Sequence, residues 1–352
     1  MKKTLIFALC LMFVFPWCLT GCRKYDGEIN VYNWGEYVSD GSEGTYDVIR
    51  EFEDKYNIKV NYTEYDSNEY MYNVLKNNES SSYDILVPSE YMVAKLIEEG
   101  MLQKINFDNI PNYKNIDDKY KNLAFDPNNE YSVPYFAGTL GIVYNKSMVK
   151  EKVDSWDILW DEKYEDSIFM IDNSRDAYAV ALTKLGYDPN NCTKEQLDEA
   201  SEILTEQKKL VSTYGMDQVF SVMEKGQCAL GVYYAGDAVT MMKNNEDLGF
   251  VVPNEGSNMF VDSLVIPKNA KNKEGAELFI NFLLEPEVSA ANAEFVCYTS
   301  CNKASYSLID SDMMANKIIY PDDKVYERCF YFSNMEKDLY DYMQKEWIVV
   351  KK

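Results

Sequence analysis

A chain of 352 residues, 46% hydrophobic and 26% charged, has an ordinary globular composition and the length to bury a large core in two domains. Its formal net charge of −23 argues against a surface that grips nucleic acid or anionic lipid and suits the attraction of cations. There is no histidine, so the commonest general base and the commonest metal ligand are both missing, and neither a metal nor a cofactor is expected.

The elements begin with Lys2 and Lys3, followed by an apolar stretch from Leu5 to Trp17. That stretch is too short for a comfortable membrane span and suits the core of a signal peptide. Leu19-Thr20-Gly21-Cys22 follows, small residues ahead of a cysteine, and resembles the lipobox of bacterial lipoproteins. The resemblance implies a signal peptide over 1–21, acyl chains (palmitate among them) on Cys22, and a polar tether over 22–27. Localisation would then be the extracellular face of the cell membrane, or the periplasmic space in a diderm organism. No later segment is apolar enough to span a bilayer. Of the eight cysteines, Cys192, Cys228, Cys297, Cys301 and Cys329 lie beyond Cys22, and none belongs to a C-x-x-C pair. Cys297 and Cys301 are candidates for a disulfide, although scattered buried thiols fit the spacing better.

From Ile29 the pattern alternates between strand and helix. Ile29 to Trp34 reads as a strand, and Val48, Ile49, Phe52 and Tyr56 mark one face of a helix. Lys59 to Tyr65 is a strand, and Asp66 with Glu69 has the spacing of a capping box. Ile85 to Val87 is a buried strand, followed by a helix from about Tyr91 to Glu99 that stops at Gly100. Gly141 to Tyr144, Cys228 to Tyr234, Phe250 to Val252 and Asp262 to Ile266 read as further strands. Thr193 with Gln196 starts a helix whose apolar face is Leu197, Ala200, Ile203 and Leu204. Ala276, Phe279, Ile280 and Leu283 mark another that ends before Pro286. The order predicts an α/β fold with a parallel-rich sheet, whose ligands gather at the carboxyl ends of strands. The candidate ends are Asn33 to Tyr37, Pro88 to Tyr91, and Asp262 beside Phe260.

Those segments carry a resemblance. Tyr32-Asn33-Trp34-Gly35-Glu36-Tyr37, Tyr83 to Ser89, Phe125-Asp126-Pro127-Asn128-Asn129 with Tyr131 to Tyr135, and Asp262 to Pro267 with Ala270 to Ala276 are similar to bacterial spermidine/putrescine-binding proteins. The similarity runs from about residue 28 to about 320. It implies a two-lobed type II periplasmic-binding-protein fold with the ligand cleft between lobes. Lobe 1 would be 28–137 plus 263–305, and lobe 2 would be 138–262 plus 306–352. The implied role is a monomeric receptor that captures a polyamine, putrescine or spermidine, and hands it to the permease and ATPase subunits of an ABC importer. No enzymatic activity is implied.

The chemistry suits such a ligand. A methylene chain carrying ammonium groups needs carboxylates at its charges and apolar walls along its length, and aromatic faces serve both needs. Carried over residue by residue, the resemblance implies ligand contacts from Trp34, Tyr37, Ser89, Tyr91, Asp176, Asp262 and Tyr298. Asp262 would hold an ammonium. Phe260 and Tyr234 stand where the family has tryptophan, and Asn173 where it has an aspartate, unless Asp172 substitutes. Gly35 replaces a threonine and loses one hydroxyl, and Glu36 falls at the mouth of the cleft. Two other readings compete: a receptor of the same fold for another small cationic or amino-acid solute, and a surface hydrolase working through paired carboxylates. No motif marks such a pair, and the acids of the candidate segments disfavour an anionic ligand.

Overall fold

The computed structural model describes residues 24–77 and 83–352. The signal peptide expected over 1–21 and the lipidation expected at Cys22 lie outside the described residues.

The first half of the chain builds a parallel sheet. β1 (Gly27–Trp34), β2 (Ile58–Tyr65) and β3 (Ile85–Leu86) lie in the order β2-β1-β3, all parallel. They are linked by α1 (Val48–Tyr56) and α2 (Asn68–Asn77), and α3 (Glu90–Glu98) follows β3. α1 forms where the apolar spacing predicts it: Asp47 caps it by accepting from the Arg50 N–H, and Val48 and Phe52 are fully buried. The cap of α2 is Ser67, whose hydroxyl accepts from the Tyr70 N–H at 3.1 Å. Asp66, the expected cap, is free for another role. Gly100 closes α3 with a φ of 63°, a conformation that glycine adopts without steric cost.

β4 (Ser132–Asn145) is far longer than the predicted Gly141 to Tyr144. Its Ser132–Thr139 part pairs antiparallel with β9 (Met259–Val265), which itself pairs antiparallel with β3. Its Leu140–Asn145 part pairs antiparallel with β7 (Leu230–Tyr234) and β8 (Leu248–Val251). One strand therefore runs out of the first sheet into the second. There, β5 (Ile168–Ile171) lies parallel between β6 (Val211–Gly215) and β7. The sheet is mixed rather than parallel-rich, because the strands that carry the chain between the two halves run against the βαβ units on either side.

Around the second sheet lie α4 (Ser174–Lys184), α5 (Lys194–Gln207), α6 (Gln218–Glu224) and α7 (Ala235–Asn244). The predicted capping box is present in α5, with Thr193 and Gln196 bonded reciprocally. After β9, α8 (Lys273–Leu283) buries Ala276, Phe279, Ile280 and Leu283 as its periodicity predicts. Pro286 ends that run and opens α9 (Pro286–Val296), since a proline at the first helical position loses no hydrogen bond. β10 (Thr299–Ser300), α10 (Ser311–Ala315), α11 (Asp323–Tyr326) and α12 (Lys337–Val350) complete the chain.

Two cores result. One gathers Ile29, Phe52, Ile85, Val133, Val261, Phe279 and Val296 around the first sheet. The other gathers Ile142, Trp156, Phe169, Leu197, Leu230, Met343 and Trp347 around the second. Three segments run together between them: the middle of β4, the stretch into β9, and the stretch around Phe330. The Leu140 N–H donates to Asn258 O at 2.9 Å, and the Met259 N–H donates to Phe330 O at 2.9 Å. Cys192, Cys228, Cys297, Cys301 and Cys329 are all free thiols, so Cys297 and Cys301 are not joined.

Candidate functional site

A cavity opens between the two cores, with about 660 Å³ of empty space that includes its opening to solvent. All eleven residues singled out from the sequence line it. From the first sheet come Trp34, Glu36 and Tyr37 after β1, Ser89 and Tyr91 at the start of α3, Phe260 and Asp262 on β9, and Tyr298 before β10. From the second come Asn173 and Asp176 at the start of α4 and Tyr234 at the end of β7.

Asp262 is the centre of the first wall and is 4% exposed. It lies in the middle of β9, paired with Phe136 across the strand and bridged to Ser89, rather than at a strand end. The Tyr37 hydroxyl donates to its Oδ2 at 2.7 Å, and the Ser89 hydroxyl to its Oδ1 at 2.7 Å. Ser89 occupies the N-cap position of α3, yet its hydroxyl serves Asp262 and makes no capping bond. Burial pushes the Asp262 carboxyl up from its ordinary range to about 7, against the pull of those two hydroxyls.

Asp176 sits in the first turn of α4, where the Asn173 side chain caps the helix by accepting from the Arg175 and Asp176 N–H groups. Its Oδ2 accepts from the Tyr234 hydroxyl at 2.7 Å and its Oδ1 from the Asn258 amide at 3.2 Å. Burial raises it to about 6. Asp172 does not make up for the missing carboxylate at 173. It points to α12, where it accepts from Trp347 Nε1 at 2.9 Å and from Lys351. Arg175 faces away as well, its guanidinium lying 4.4 Å from the centre of the Phe332 ring and bonding to Asn190 and Ser333.

The aromatic walls are continuous. Trp34 is half-buried, packs 4.7 Å from the Tyr65 ring and anchors its indole N–H on Val87 O at 2.8 Å. Tyr37 meets Tyr298 edge-on at 5.3 Å, and Phe260 touches both Tyr234 at 5.3 Å and Tyr298 at 5.9 Å. Tyr91 stands edge-on to Phe332 at 5.8 Å and donates to Glu69 at 3.0 Å. Glu36 is exposed at the mouth, with a φ of 52°. Behind Asp262, the buried Glu90 carboxylate accepts from the Val261 and Phe332 N–H groups, both at 3.1 Å, and so ties together two of the segments that link the cores. Burial raises Glu90 to about 8.

Sequence reasoning missed part of the lining. Asp237 lies in the first turn of α7 and accepts from the Tyr298 hydroxyl at 2.8 Å; burial pushes it up to about 7. Asp217 accepts from the Tyr233 hydroxyl at 3.0 Å. Asp66, Asn68, Asn258 and Phe332 also line the cavity. The signal for Asp237 was within reach, since Tyr234-Ala235-Gly236-Asp237 follows the carboxyl end of β7 as the strand-end rule requires. Gly236 lets the start of α7 approach so closely that a Cβ there would meet the Tyr298 ring at 2.4 Å. Asp217 follows β6, a strand the sequence did not reveal. Asp176, Asp217, Asp237 and Asp262 thus each hold one tyrosine hydroxyl, while among the described residues no lysine or arginine lines the cavity. Such a chamber suits an elongated organic cation.

Residues 47–321 match the family of bacterial extracellular solute-binding proteins. The spermidine/putrescine-binding periplasmic protein of Salmonella typhimurium is 38% identical over 292 residues, covering 83% of this chain and 82% of that one. Among solved structures, a spermidine/putrescine ABC transporter protein from Listeria monocytogenes is 35% identical with a TM-score of 0.87, covering 92% of this chain and 98% of that one. A lipoprotein of Treponema pallidum is 28% identical with a TM-score of 0.80, covering 92% and 99%. The two-lobed α/β fold is common to them, and they are binding proteins rather than enzymes.

Proposed function

Because the chain belongs to the bacterial extracellular solute-binding proteins, we propose that it is the receptor of an ABC importer and that it binds polyamines in the cavity between its lobes. The observation that carries this reading is the set of tyrosine-bonded carboxylates along an aromatic wall, with no basic residue among the described residues of the lining. Burying Asp176, Asp237 and Asp262 raises each of them, and an ammonium brought among them supplies the partner that burial withholds. The rings of Trp34, Tyr37, Tyr91, Tyr234, Phe260 and Tyr298 cover methylenes and attract the charges, at roughly 0.5–2 kcal/mol per cation–ring contact. The relatives named for spermidine and putrescine support the same ligand class.

The remaining parts of the reading are these. Lobe 1 is built from 28–137 with 263–305 and lobe 2 from 138–262 with 306–352, and they close by rotation about the segments that cross between them. Cys22 carries the lipid that holds this monomer at the outer face of the membrane, next to the permease it serves. No helix among the described residues is long and apolar enough to cross a membrane. Titration calorimetry with putrescine, spermidine and spermine tests the ligand. Folded protein that gives no heat with any of them rules the polyamine out. Labelling of Cys22 by a radioactive or clickable fatty acid tests the anchor, and an unlabelled chain rules it out.

A further inference from the structure

We propose that Asp217 holds the ammonium at the outer end of a linear polyamine, so that this chain binds triamines in preference to diamines; the inference rests on the polyamine reading above. Asp217 is exposed at the mouth of the cavity on the side of the second sheet. The Tyr233 hydroxyl fixes its Oδ1 at 3.0 Å. Its Oδ2 crosses to the opposite wall, where a Cβ built on Gly35 would lie 2.8 Å away. Gly35 is not among the residues with positive φ, so its backbone does not demand a glycine. What the missing side chain does is leave room for the Asp217 carboxylate.

The ring contacts string the other three carboxylates along one wall. Phe260 touches Tyr234, which bonds Asp176, and Tyr298, which bonds Asp237; Tyr298 in turn touches Tyr37, which bonds Asp262. Asp176 and Asp262 are buried and Asp237 is half-buried, whereas Asp217 is exposed, with Glu36 and Asp66 in the same lining. A diamine satisfies its two charges on the inner carboxylates. A triamine has a further methylene segment and a further ammonium to place, and the mouth offers it Asp217. Acids from both lobes converge there, Glu36 and Asp66 from one and Asp217 from the other, so a cation at the mouth also removes the repulsion that opposes closure.

Calorimetry of the purified full chain and of Asp217→Asn with spermidine and putrescine tests this. The expected result is a loss of about 10- to 100-fold for spermidine with putrescine within about threefold of wild type, the fold-change of one charge-assisted contact. Gly35→Thr tests the same contact from the other wall, because its side chain displaces the carboxylate; it lowers the spermidine-to-putrescine affinity ratio in the same direction. Both are cleft-mouth changes, and equal melting temperatures of the unliganded proteins check the fold. Equal losses for both amines, or unchanged spermidine affinity in Asp217→Asn, overturn the role of Asp217 alone. Wild-type protein that binds neither amine overturns the polyamine reading itself.

Discussion

Asp262→Asn separates binding from stability, with effects of opposite sign. In the unliganded protein Asp262 is raised from 3.8 to about 7, chiefly by burial. Each unit is worth about 1.4 kcal/mol between the two protonation states. A carboxyl with a raised folded pKa contributes stability that is fully present below its unfolded pKa and is lost as pH rises through the folded one. At pH 8 this group therefore costs the folded state about 4 kcal/mol, and at pH 5 less than about 2 kcal/mol. Asparagine keeps the shape, still accepts from Tyr37, and must re-pair its amide near Ser89, which offsets part of the gain. The net expectation is an unliganded variant about 2 kcal/mol more stable than wild type at pH 8, seen as a melting temperature a few degrees higher, and nearly unchanged at pH 5. Binding moves the other way. Loss of one partner of a buried ion pair costs about 3–5 kcal/mol, or roughly 10²- to 10³-fold or more in affinity for spermidine. Scanning fluorimetry at the two pH values and calorimetry with spermidine measure both. A variant that loses stability equally at pH 5 and pH 8, or that keeps wild-type affinity, refutes the assignment of Asp262 as a buried, ligand-paired carboxylate.

The same linkage predicts that polyamine affinity rises between about pH 5 and pH 8, because a cation favours the ionised forms of Asp176, Asp237 and Asp262, which titrate at about 6, 7 and 7. Calorimetry at pH 6.5 in buffers of different ionisation enthalpy should then register proton release on binding, and no buffer dependence would contradict it. Tyr234→Phe removes the hydroxyl that donates to Asp176 at 2.7 Å while keeping the wall against Phe260; a loss of about 1–2 kcal/mol in binding is expected, read by calorimetry. Phe279→Ala, far from the cavity and packed on Phe52 at 4.8 Å, should cost about 3–5 kcal/mol in chemical denaturation and leave affinity unchanged in the folded fraction.

Much of the local structure was legible because its causes are local. The apolar face of α8, the capping box of α5 and the glycine stop of α3 each depend on residues within a turn or two of one another, and each stands where the pattern put it. Where a rival group sat one residue away, the pattern could not choose: Ser67 caps α2 rather than Asp66, because its hydroxyl reaches the Tyr70 N–H. The full extent of β4 was also hidden, since a strand buried along most of its length shows no alternation to read.

Composition, spacing and resemblance were enough to assign the α/β class, the family and the residues Trp34, Tyr37, Ser89, Tyr91, Asp176, Asp262 and Tyr298, all of which meet in one cavity. What only the tertiary structure decided is which polar groups face each other across it. Asp217 and Gly35 are remote in sequence and belong to different sheets, so no periodicity couples them; their pairing exists only because the crossing strands bring the two walls together. In the same way, Asp172 turns to Lys351 and adds no carboxylate to the lining, and Arg175 turns to Phe332 and adds no base. An aspartate in a first helical turn looks alike whether water or a cleft surrounds it. Burial first, and then neighbouring acids, make Asp176 and Asp237 acids in need of a cation, and both are properties of the assembled fold.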